Sequence, residues 1–331
     1  MKVAVMGAGS WGTAYSMVLA EAGNQVWLWG RNAELCAEIS TRRVNSRYLP
    51  EVLLPEAVTA TSDPQSALAE AELVVLALPS QTVRDNLRDW GPAVPQKVPV
   101  VSLMKGLELQ SRLRMSQVVS AELGTPASLV VVVSGPNLAR EIAAHQPAAT
   151  VVACTDEAVA RRVQAASLTA TFRPYTNRDV VGVELGGVVK NVIALATGMA
   201  EGMGFGDNTK ASIITRGLAE MTRLGVAMGA DPLTFAGLAG VGDLVATCMS
   251  PLSRNRTFGE NLGRGMSLEE VTAATHQTAE GVKSSRAVLD LALHHHVDMP
   301  IAEHVVAVVH EGMTPKDMVR SIMSRETKAE R

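Results

Sequence analysis

The 331-residue sequence predicts an α/β chain in two parts: a doubly wound parallel-sheet domain, then an all-α domain. Three observations carry this expectation. Short apolar runs alternate with helical patterns as far as Asp179. Beyond that residue the strand signal stops and only helical periodicity continues, with no Pro/Gly/Ser-rich linker between the two regimes. A glycine-rich turn also sits between the first strand and the first helix. The expected division is therefore residues 1–179 and residues 180–331, joined by a helix, with the functional site at the seam.

Bulk properties narrow the function classes. The length suffices for two cores. Hydrophobic residues make up 47% and charged residues 19%, as in ordinary globular proteins, but aromatics are only 3%, so the cores must be built from Val, Leu, Ala and Met. A net charge of −3 gives no global basic field and argues against nucleic acid as a partner, while leaving room for a local cationic pocket for a small anion. Cys36, Cys154 and Cys248 lie far apart, with neither metal spacing nor a disulfide framework, so a reducing cytoplasm is expected. The chain enters a strand directly after Met1, and neither a signal peptide nor a membrane-spanning apolar run of 18 residues is read in it. A homodimer is compatible with these properties.

Lys2–Met6 reads as a buried strand, Thr13 to Ala22 as a helix stopped by Gly23-Asn24, and Gln25–Trp29 as the second strand. Gly7-Ala8-Gly9-Ser10-Trp11-Gly12 lies between the first strand and the helix, which is the context of a dinucleotide-binding fingerprint in a Rossmann-type domain. Gly7 and Gly9 would let the backbone turn and approach a pyrophosphate, and Gly12 would let helix and strand pack closely, with the helix N-terminus facing the phosphates. The plainer alternative is a glycine turn with no ligand. The end of the second strand offers Gly30-Arg31-Asn32 and no acid. A carboxylate there would accept from the ribose 2′-hydroxyl of NAD, whereas Arg31 would pair with the 2′-phosphate of NADP. NADP(H) is therefore the expected preference with NAD(H) also usable, unless Arg31 only stacks on adenine and helps both equally.

Leu73–Leu78, Val98–Leu103 and Ser128–Ser134 are apolar runs of the kind covered on both sheet faces, and Ala149–Ala153 and Thr171–Tyr175 are weaker strands. Ligands in such sheets bind beyond the carboxyl ends of strands, where Lys105, Gly135 and Asn137 fall. Lys105 could equally be a solvated loop lysine. Helical patterns then cover 181–202, 207–225, 231–240, 254–264, 267–273, 280–296, 300–311 and 315–324, and the tail Ser324–Arg331 is expected to fray.

Two stretches carry the chemistry. In the first, Leu185, Val188, Val189, Val192, Ile193 and Ala196 form one apolar stripe, with Lys190 off that stripe one turn beyond Gly186 and Gly187. The glycines would leave a notch beside a desolvated, proton-active ammonium, or they would admit another helix while Lys190 snorkels to solvent. In the second, Gly240 to Arg256 supplies Asp243, Thr247 and then Ser253-Arg254-Asn255-Arg256 at a helix start. Arginine, amide, hydroxyl and free helix N–H groups together suit a phosphate monoester, against the alternative of Ser253 as an ordinary N-cap followed by exposed arginines. His294-His295-His296 do not share a helix face and read as a solvated helix end rather than a metal site, and Cys248 reads as a small buried hydrophobe.

Taken together, the chain resembles the bacterial NAD(P)-dependent glycerol-3-phosphate dehydrogenases over nearly its whole length. The residues that carry the resemblance are Gly7–Ala14, Tyr48-Leu49-Pro50, Met104–Glu108, Gly135–Ala139, Val183–Gly225 with its Gly-Phe-Gly-Asp-Asn-Thr-Lys, and Gly237–Gly259. The resemblance implies reversible reduction of dihydroxyacetone phosphate to sn-glycerol 3-phosphate for phospholipid synthesis. It implies cofactor contacts from Ser10, Trp11, Arg31, Tyr48, Lys105, Ala139, Arg254, Thr278 and Glu280. It implies substrate contacts from Lys105, Gly135, Asn137, Lys190, Asp243, Ser253, Arg254 and Asn255, with Lys190 transferring the proton and with Asn191 and Thr247 lining the site. Two departures stand out: Asn137-Leu138 replaces the family's usual Ser-Phe or Thr-Phe, and Glu51 replaces a frequent glycine after Tyr-Leu-Pro. The rival expectations are a related two-domain reductase acting on a β-hydroxyacid, which should lack the Ser253-Arg254-Asn255 anion site, and a non-catalytic NADPH-binding sensor, which would not need Lys105, Lys190 and Asp243 together.

Overall fold

The structure, a computed structural model, describes residues 1–274 and 279–324. Its strands are β1 (Lys2–Met6), β2 (Gln25–Trp29), β3 (Val58–Thr61), β4 (Leu73–Leu76), β5 (Val100–Ser102), β6 (Val130–Ser134), β7 (Ala148–Ala153) and β8 (Phe172–Asn177). They form one sheet in the order β3-β2-β1-β4-β5-β6-β7-β8. Strands β1 to β6 are parallel, while β7 runs antiparallel to β6 and carries β8 parallel to itself. The chain builds outward from β1 to β3, then returns to lay β4 on the other side of β1. The order therefore reverses between β1 and β4, and a crevice opens beyond their carboxyl ends.

Helices α1 (Ser10–Glu21), α2 (Ala33–Arg42), α3 (Pro64–Leu68), α4 (Val83–Trp90), α5 (Met115–Leu123), α6 (Ala139–Ala143) and α7 (Glu157–Ser167) cover the two faces. Alternate side chains of each strand feed separate cores. Val3, Val5, Leu28 and Val75 pack with Tyr15 and Leu19 of α1 on one face, and Ala4, Met6, Val74 and Leu76 pack with Trp90 and Met115 on the other. Burial on both faces is why these strands read as continuous apolar runs. Strand β3 escaped the sequence reading because Val58-Thr59-Ala60-Thr61 is short and half polar, as suits an edge strand that exposes Thr59.

From Val180 onward the described residues form only helices and connections: α8 (Val180–Gly202), α9 (Asp207–Ala227), α10 (Pro232–Phe235), α11 (Asp243–Met249), α12 (Arg254–Gly263), α13 (Leu268–Ala274), α14 (Glu280–His294), α15 (Pro300–His310) and α16 (Pro315–Met323). The stretch from Leu238 enters α11 through a π-helical turn, Leu238–Gly242. Its glycines hid the α11 helix from the sequence reading, and the single helix expected over 231–240 is instead α10 followed by Ala236-Gly237 and this π-helical turn. The tail from 325 onward lies outside the described residues.

The single apolar stripe expected on α8 is not what the structure has. Every residue from Gly182 to Ala200 is buried, because α8 runs through the middle of the helical half, touching α9, α11, α12, α14 and β6. Although no membrane-length apolar run was expected, α8 reaches a mean hydropathy of 1.6 over its most apolar window, 89% of which is buried against protein. Its buried acidic residue, Glu184, accepts from Ser116 N at 2.8 Å, Ser116 Oγ at 2.7 Å and Arg114 Nη1 at 2.7 Å, tying α8 to the start of α5. A buried carboxylate so fully hydrogen-bonded is tolerated where an unpaired one would not be.

Helices α8 and α12 meet backbone to backbone. A Cβ on Gly198 or Gly202 of α8 would stand 2.0 Å from the carbonyl oxygen of Arg256 or Glu260, and one on Gly259 or Gly263 of α12 would stand 2.1 or 2.2 Å from that of Leu195 or Met199. Four glycines, four residues apart on each helix, thus bring the start of α12 against the middle of α8. Gly259→Ala forces the helices apart and is expected to lower the unfolding free energy by about 2 kcal/mol or more, in the upper range for overpacking a core. Urea titration checks this, and an unchanged midpoint would mean that the helices separate at no cost.

Candidate active site

The site is assembled where the carboxyl ends of β5 and β6 meet α8 and α11. Lys105 lies in the loop after β5. That loop is held by Gln81 Nε2 donating to the Leu107 carbonyl at 2.7 Å, and by a bidentate pair from Arg84 to Glu108 at 2.7 and 2.8 Å. Gly135 follows β6 at φ +147°, a backbone conformation that favours glycine, and a Cβ there would stand only 3.1 Å from Thr150 Cα. Asn137 comes next, with Nδ2 donating to Thr150 Oγ1 at 3.0 Å.

Asp243, 1% exposed, is the hub. Lys190 Nζ lies 2.5 Å from Oδ1 and Lys105 Nζ 2.8 Å from Oδ2. Lys105 also donates to the Gly135 carbonyl at 3.0 Å, and Lys190 to Thr247 Oγ1 at 2.6 Å. Asp243 and Thr247 stand one turn apart on α11, so a single helix face presents both to Lys190. Two ammonium groups and one carboxylate leave a surplus positive charge in a largely buried pocket. Burial, with the Lys105 charge adding to it and Asp243 opposing it, pushes the Lys190 pKa down from 10.5 to about 7.

Of the two readings of Gly186 and Gly187, neither an open notch nor a solvent-reaching lysine holds. Gly186 is closed by the Ala239 carbonyl, 2.3 Å from where its Cβ would be, and Gly187 by Ser134 Oγ at 2.6 Å and by the stem of Lys105. Lys190 itself is 6% exposed. The glycines let the π-helical turn and Lys105 close on α8.

The start of α12 joins this cluster through amides. Asn255 Nδ2 donates to Asn191 Oδ1 at 2.9 Å, Asn255 Oδ1 accepts from Gly281 N at 2.8 Å, and Asn191 Nδ2 donates to the carbonyls of Gly187 and Lys105 at 3.3 and 3.5 Å. Ser253 is indeed the N-cap of α12, its hydroxyl accepting from Arg256 N at 3.3 Å. Arg254 is exposed at the first helical position, whereas Arg256 turns away to Glu260 at 3.1 Å and Glu201 at 3.6 Å.

A second group surrounds the glycine turn. A Cβ on Gly7, at φ +135°, would stand 2.4 Å from the Ala77 carbonyl oxygen, and one on Gly12 would stand 1.9 Å from that of Gly7. Gly9 faces open space, and no side chain caps the N-terminus of α1. Ser10 Oγ donates to the Tyr48 carbonyl at 2.9 Å. Trp11 packs against Tyr15 and Phe172, and its buried Nε1 has no partner among the described residues. Ala139 opens α6 and packs on the core beneath. Arg31 is exposed past the end of β2, beside a surface depression lined by Asn32, Glu34, Leu35, Glu38, Arg42 and Arg47. Glu280 opens α14 and accepts from Ser80 Oγ at 3.1 Å, and burial raises its pKa. Thr278 lies outside the described residues.

Lys105, Gly135, Lys190 and Asp243 therefore touch directly. Asn137 adjoins them through Thr150, and Asn255 and the start of α14 are linked to them through Asn191. Sequence reasoning missed Ser80, Ser134 and Thr150. Ser80 and Ser134 stand at the ends of apolar runs, the same signal that singled out Lys105. Ser134 Oγ and Asn137 Oδ1 are buried with no partner among the described residues, so each offers the site an unused hydrogen bond.

Comparison with known proteins identifies the family. The model of the NAD-dependent glycerol-3-phosphate dehydrogenase N-terminus matches residues 2–160, and that of the C-terminus matches residues 179–320. The glycerol-3-phosphate dehydrogenase [NAD(P)+] of Streptomyces griseus is 61% identical over all of this chain and 98% of its own length, and that of Streptomyces coelicolor is 62% identical over the same shares. Among solved structures, the glycerol-3-phosphate dehydrogenase of Coxiella burnetii superposes with a TM-score of 0.93 at 37% identity, covering 98% of each chain.

The depressed Lys190 pKa has a consequence for stability. Between about pH 7 and 10.5 the unfolded chain holds a proton on Lys190 that the folded chain has released, so this residue's contribution to stability rises with pH across that window. In denaturant titrations the stability of the wild type relative to Lys190→Met should climb from pH 7 to pH 9.5. Parallel curves for the two proteins would contradict a desolvated Lys190.

Proposed function

The chain belongs to the NAD-dependent glycerol-3-phosphate dehydrogenase family, and from that premise we propose that it reversibly reduces dihydroxyacetone phosphate to sn-glycerol 3-phosphate with NAD(P)H, supplying glycerol phosphate for phospholipid synthesis. The observation that carries the reading is the Asp243 carboxylate shared by Lys105 and Lys190 at the ends of the strands.

The residues around the glycine turn fit a dinucleotide. Gly9 leaves open space before an uncapped helix N-terminus, and the unpartnered Trp11 Nε1 is a donor in want of an acceptor. Gly7, Gly9, Ser10, Trp11, Gly12, Arg31, Tyr48, Lys105, Ala139, Arg254, Thr278 and Glu280 would hold it. The bound nicotinamide would supply the hydride. Lys190 is the general acid: its ammonium stabilises negative charge growing on the carbonyl oxygen and then protonates it, and a pKa of about 7 lets the same group accept the proton in reverse. Asp243 aims the ammonium, and Lys105 adds the charge that keeps the site attractive to an anion. Gly135 and Asn137 position the substrate hydroxyl, with Asn137 Oδ1 free to accept from it. Ser253, Arg254 and Asn255 face the phosphate from the start of α12, where the helix dipole favours an anion.

We assign residues 1–179 to cofactor binding and residues 180–331 to catalysis, in the cytoplasm. A homodimer is compatible with the apolar side chains of Leu233, Val245, Met249 and Leu252, which are exposed around α10 and α11. For cofactor choice we hold to NADPH, because Arg31 offers the 2′-phosphate a guanidinium. Stacking on adenine is the competing role, and Glu34 and Glu38 in the neighbouring depression would oppose the phosphate.

Oxidation of NADPH by dihydroxyacetone phosphate, against dihydroxyacetone and a β-keto acid, tests the function: only the phosphorylated ketone should turn over well. Lys190→Met should cut turnover about 100-fold or more with NADPH affinity unchanged. Arg254→Ala should raise KM for dihydroxyacetone phosphate and leave the weak reaction of dihydroxyacetone alone, and equal losses on both would count against a phosphate subsite. Saturation curves with NADPH and NADH decide Arg31: Arg31→Asp should weaken NADPH on the order of 10- to 100-fold and narrow the preference, whereas equal loss of both cofactors would make Arg31 a stacking residue.

A further inference from the structure

The loop between α2 and β3 carries Tyr48 past the glycine turn, and one buried side chain fastens it there. Asn45 is 0% exposed. Its Nδ2 donates to the Ala8 carbonyl at 3.0 Å and to Thr13 Oγ1 at 2.8 Å, and its Oδ1 accepts from Tyr48 N at 3.2 Å. Its own carbonyl accepts from Leu49 N at 2.9 Å. The chain leaves α2 through Arg43 at φ +55°, turns Asn45, Leu49 and Leu54 inward, and so leaves Arg47 exposed and Tyr48 half-buried. Ser10 Oγ, donating to the Tyr48 carbonyl, closes the other side of the loop.

We infer that Asn45 is a positioning residue of the cofactor site, fixing the plane of the Ala8–Gly9 peptide and clamping the Tyr48 loop to it. This rests on the dinucleotide reading of the glycine turn. In a trans peptide the carbonyl and the N–H of the same unit point in opposite directions. Asn45 draws the Ala8 carbonyl inward, so the N–H of Gly9 is aimed away from the protein. Gly9 N makes no hydrogen bond among the described residues, and Gly9 borders open space in front of α1. Asn45 thus orients an anion donor it never touches. An amide suits the task because it supplies two N–H donors and a carbonyl acceptor from one short, neutral side chain. A carboxylate would keep the contact to Tyr48 N, but it would repel the Ala8 carbonyl and set a negative charge behind the place where a pyrophosphate would lie.

Helix α1 provides its own control. At its far end Asn24, 5% exposed, donates from Nδ2 to the carbonyls of Leu19 at 2.7 Å and Ala166 at 2.9 Å. It is likewise a buried asparagine with two donor bonds, and it is remote from the glycine turn. The test measures NADPH dissociation constants by fluorescence titration, steady-state constants and urea stability for the wild type, Asn45→Ala, Asn45→Asp and Asn24→Ala. Asn45→Ala should raise the NADPH dissociation constant and KM on the order of tenfold. At saturating NADPH, kcat and KM for dihydroxyacetone phosphate should stay near wild type. Asn45→Asp, nearly isosteric and the safeguard should the alanine variant not fold, should weaken NADPH more than alanine does. Asn24→Ala should lose stability and keep its NADPH affinity. The inference is overturned if either Asn45 variant binds NADPH like the wild type, or if Asn24→Ala loses as much NADPH affinity as Asn45→Ala. A wild type that binds no NADPH would instead overturn the dinucleotide reading, and the inference with it.

Discussion

One buried carboxylate between two lysines is the constraint around which the molecule is organised. Asp243 draws Lys105 from the loop after β5 and Lys190 from the middle of α8 to within 2.8 and 2.5 Å. Bringing three charges out of water is costly, and their mutual attraction offsets that cost only when the geometry is close. Much of the surrounding packing serves that closeness. Gly186 and Gly187 let the π-helical turn and the stem of Lys105 lie against α8, and the glycine contact of α8 with α12 brings Ser253 to Asn255 to the same place. The first turn of α11 favours a negative charge at Asp243.

The surplus positive charge connects structure to chemistry. With Lys190 protonated, a pocket of two ammonium groups and one carboxylate is unbalanced until an anion enters, and a phosphorylated ketone both supplies the anion and presents a carbonyl that gains negative charge on reduction. The unpartnered Ser134 Oγ and Asn137 Oδ1 make the same point in hydrogen bonds. The amide chain from the Lys105 carbonyl through Asn191 and Asn255 to Gly281 N ties the substrate side to the start of α14, where Glu280 stands. Residues drawn from the sheet domain and from three helices of the second half are therefore parts of one hydrogen-bonded body.

Sequence made legible whatever depends on local pattern. The glycine turn, the apolar strands and the polar residues at their ends stand where strand and helix periodicity put them, and Lys190 and Asp243 were conspicuous as charges in apolar or glycine-rich surroundings. What stayed hidden depends on approach between distant segments. The burial of α8 on all sides, the filling of the notch beside Lys190 and the helix hidden at Asp243–Met249 all follow from contacts between distant segments that no periodicity encodes. Asn45 looked like any loop asparagine until the Ala8 carbonyl came to rest against it. Glu51 is instructive in the opposite sense. The family's frequent glycine is missing, yet the residue adopts φ +67°, so the loop keeps a left-handed turn without glycine and accepts the backbone strain.

The most direct measurement is the titration of Lys190 itself, by NMR of the folded protein carrying 13C-labelled lysine, with the resonance assigned by its loss in Lys190→Arg. A desolvated ammonium held beside Asp243 and Lys105 should titrate with a midpoint of about 7. A midpoint at the ordinary 10.5 would contradict the electrostatic arrangement on which the proposed proton transfer depends.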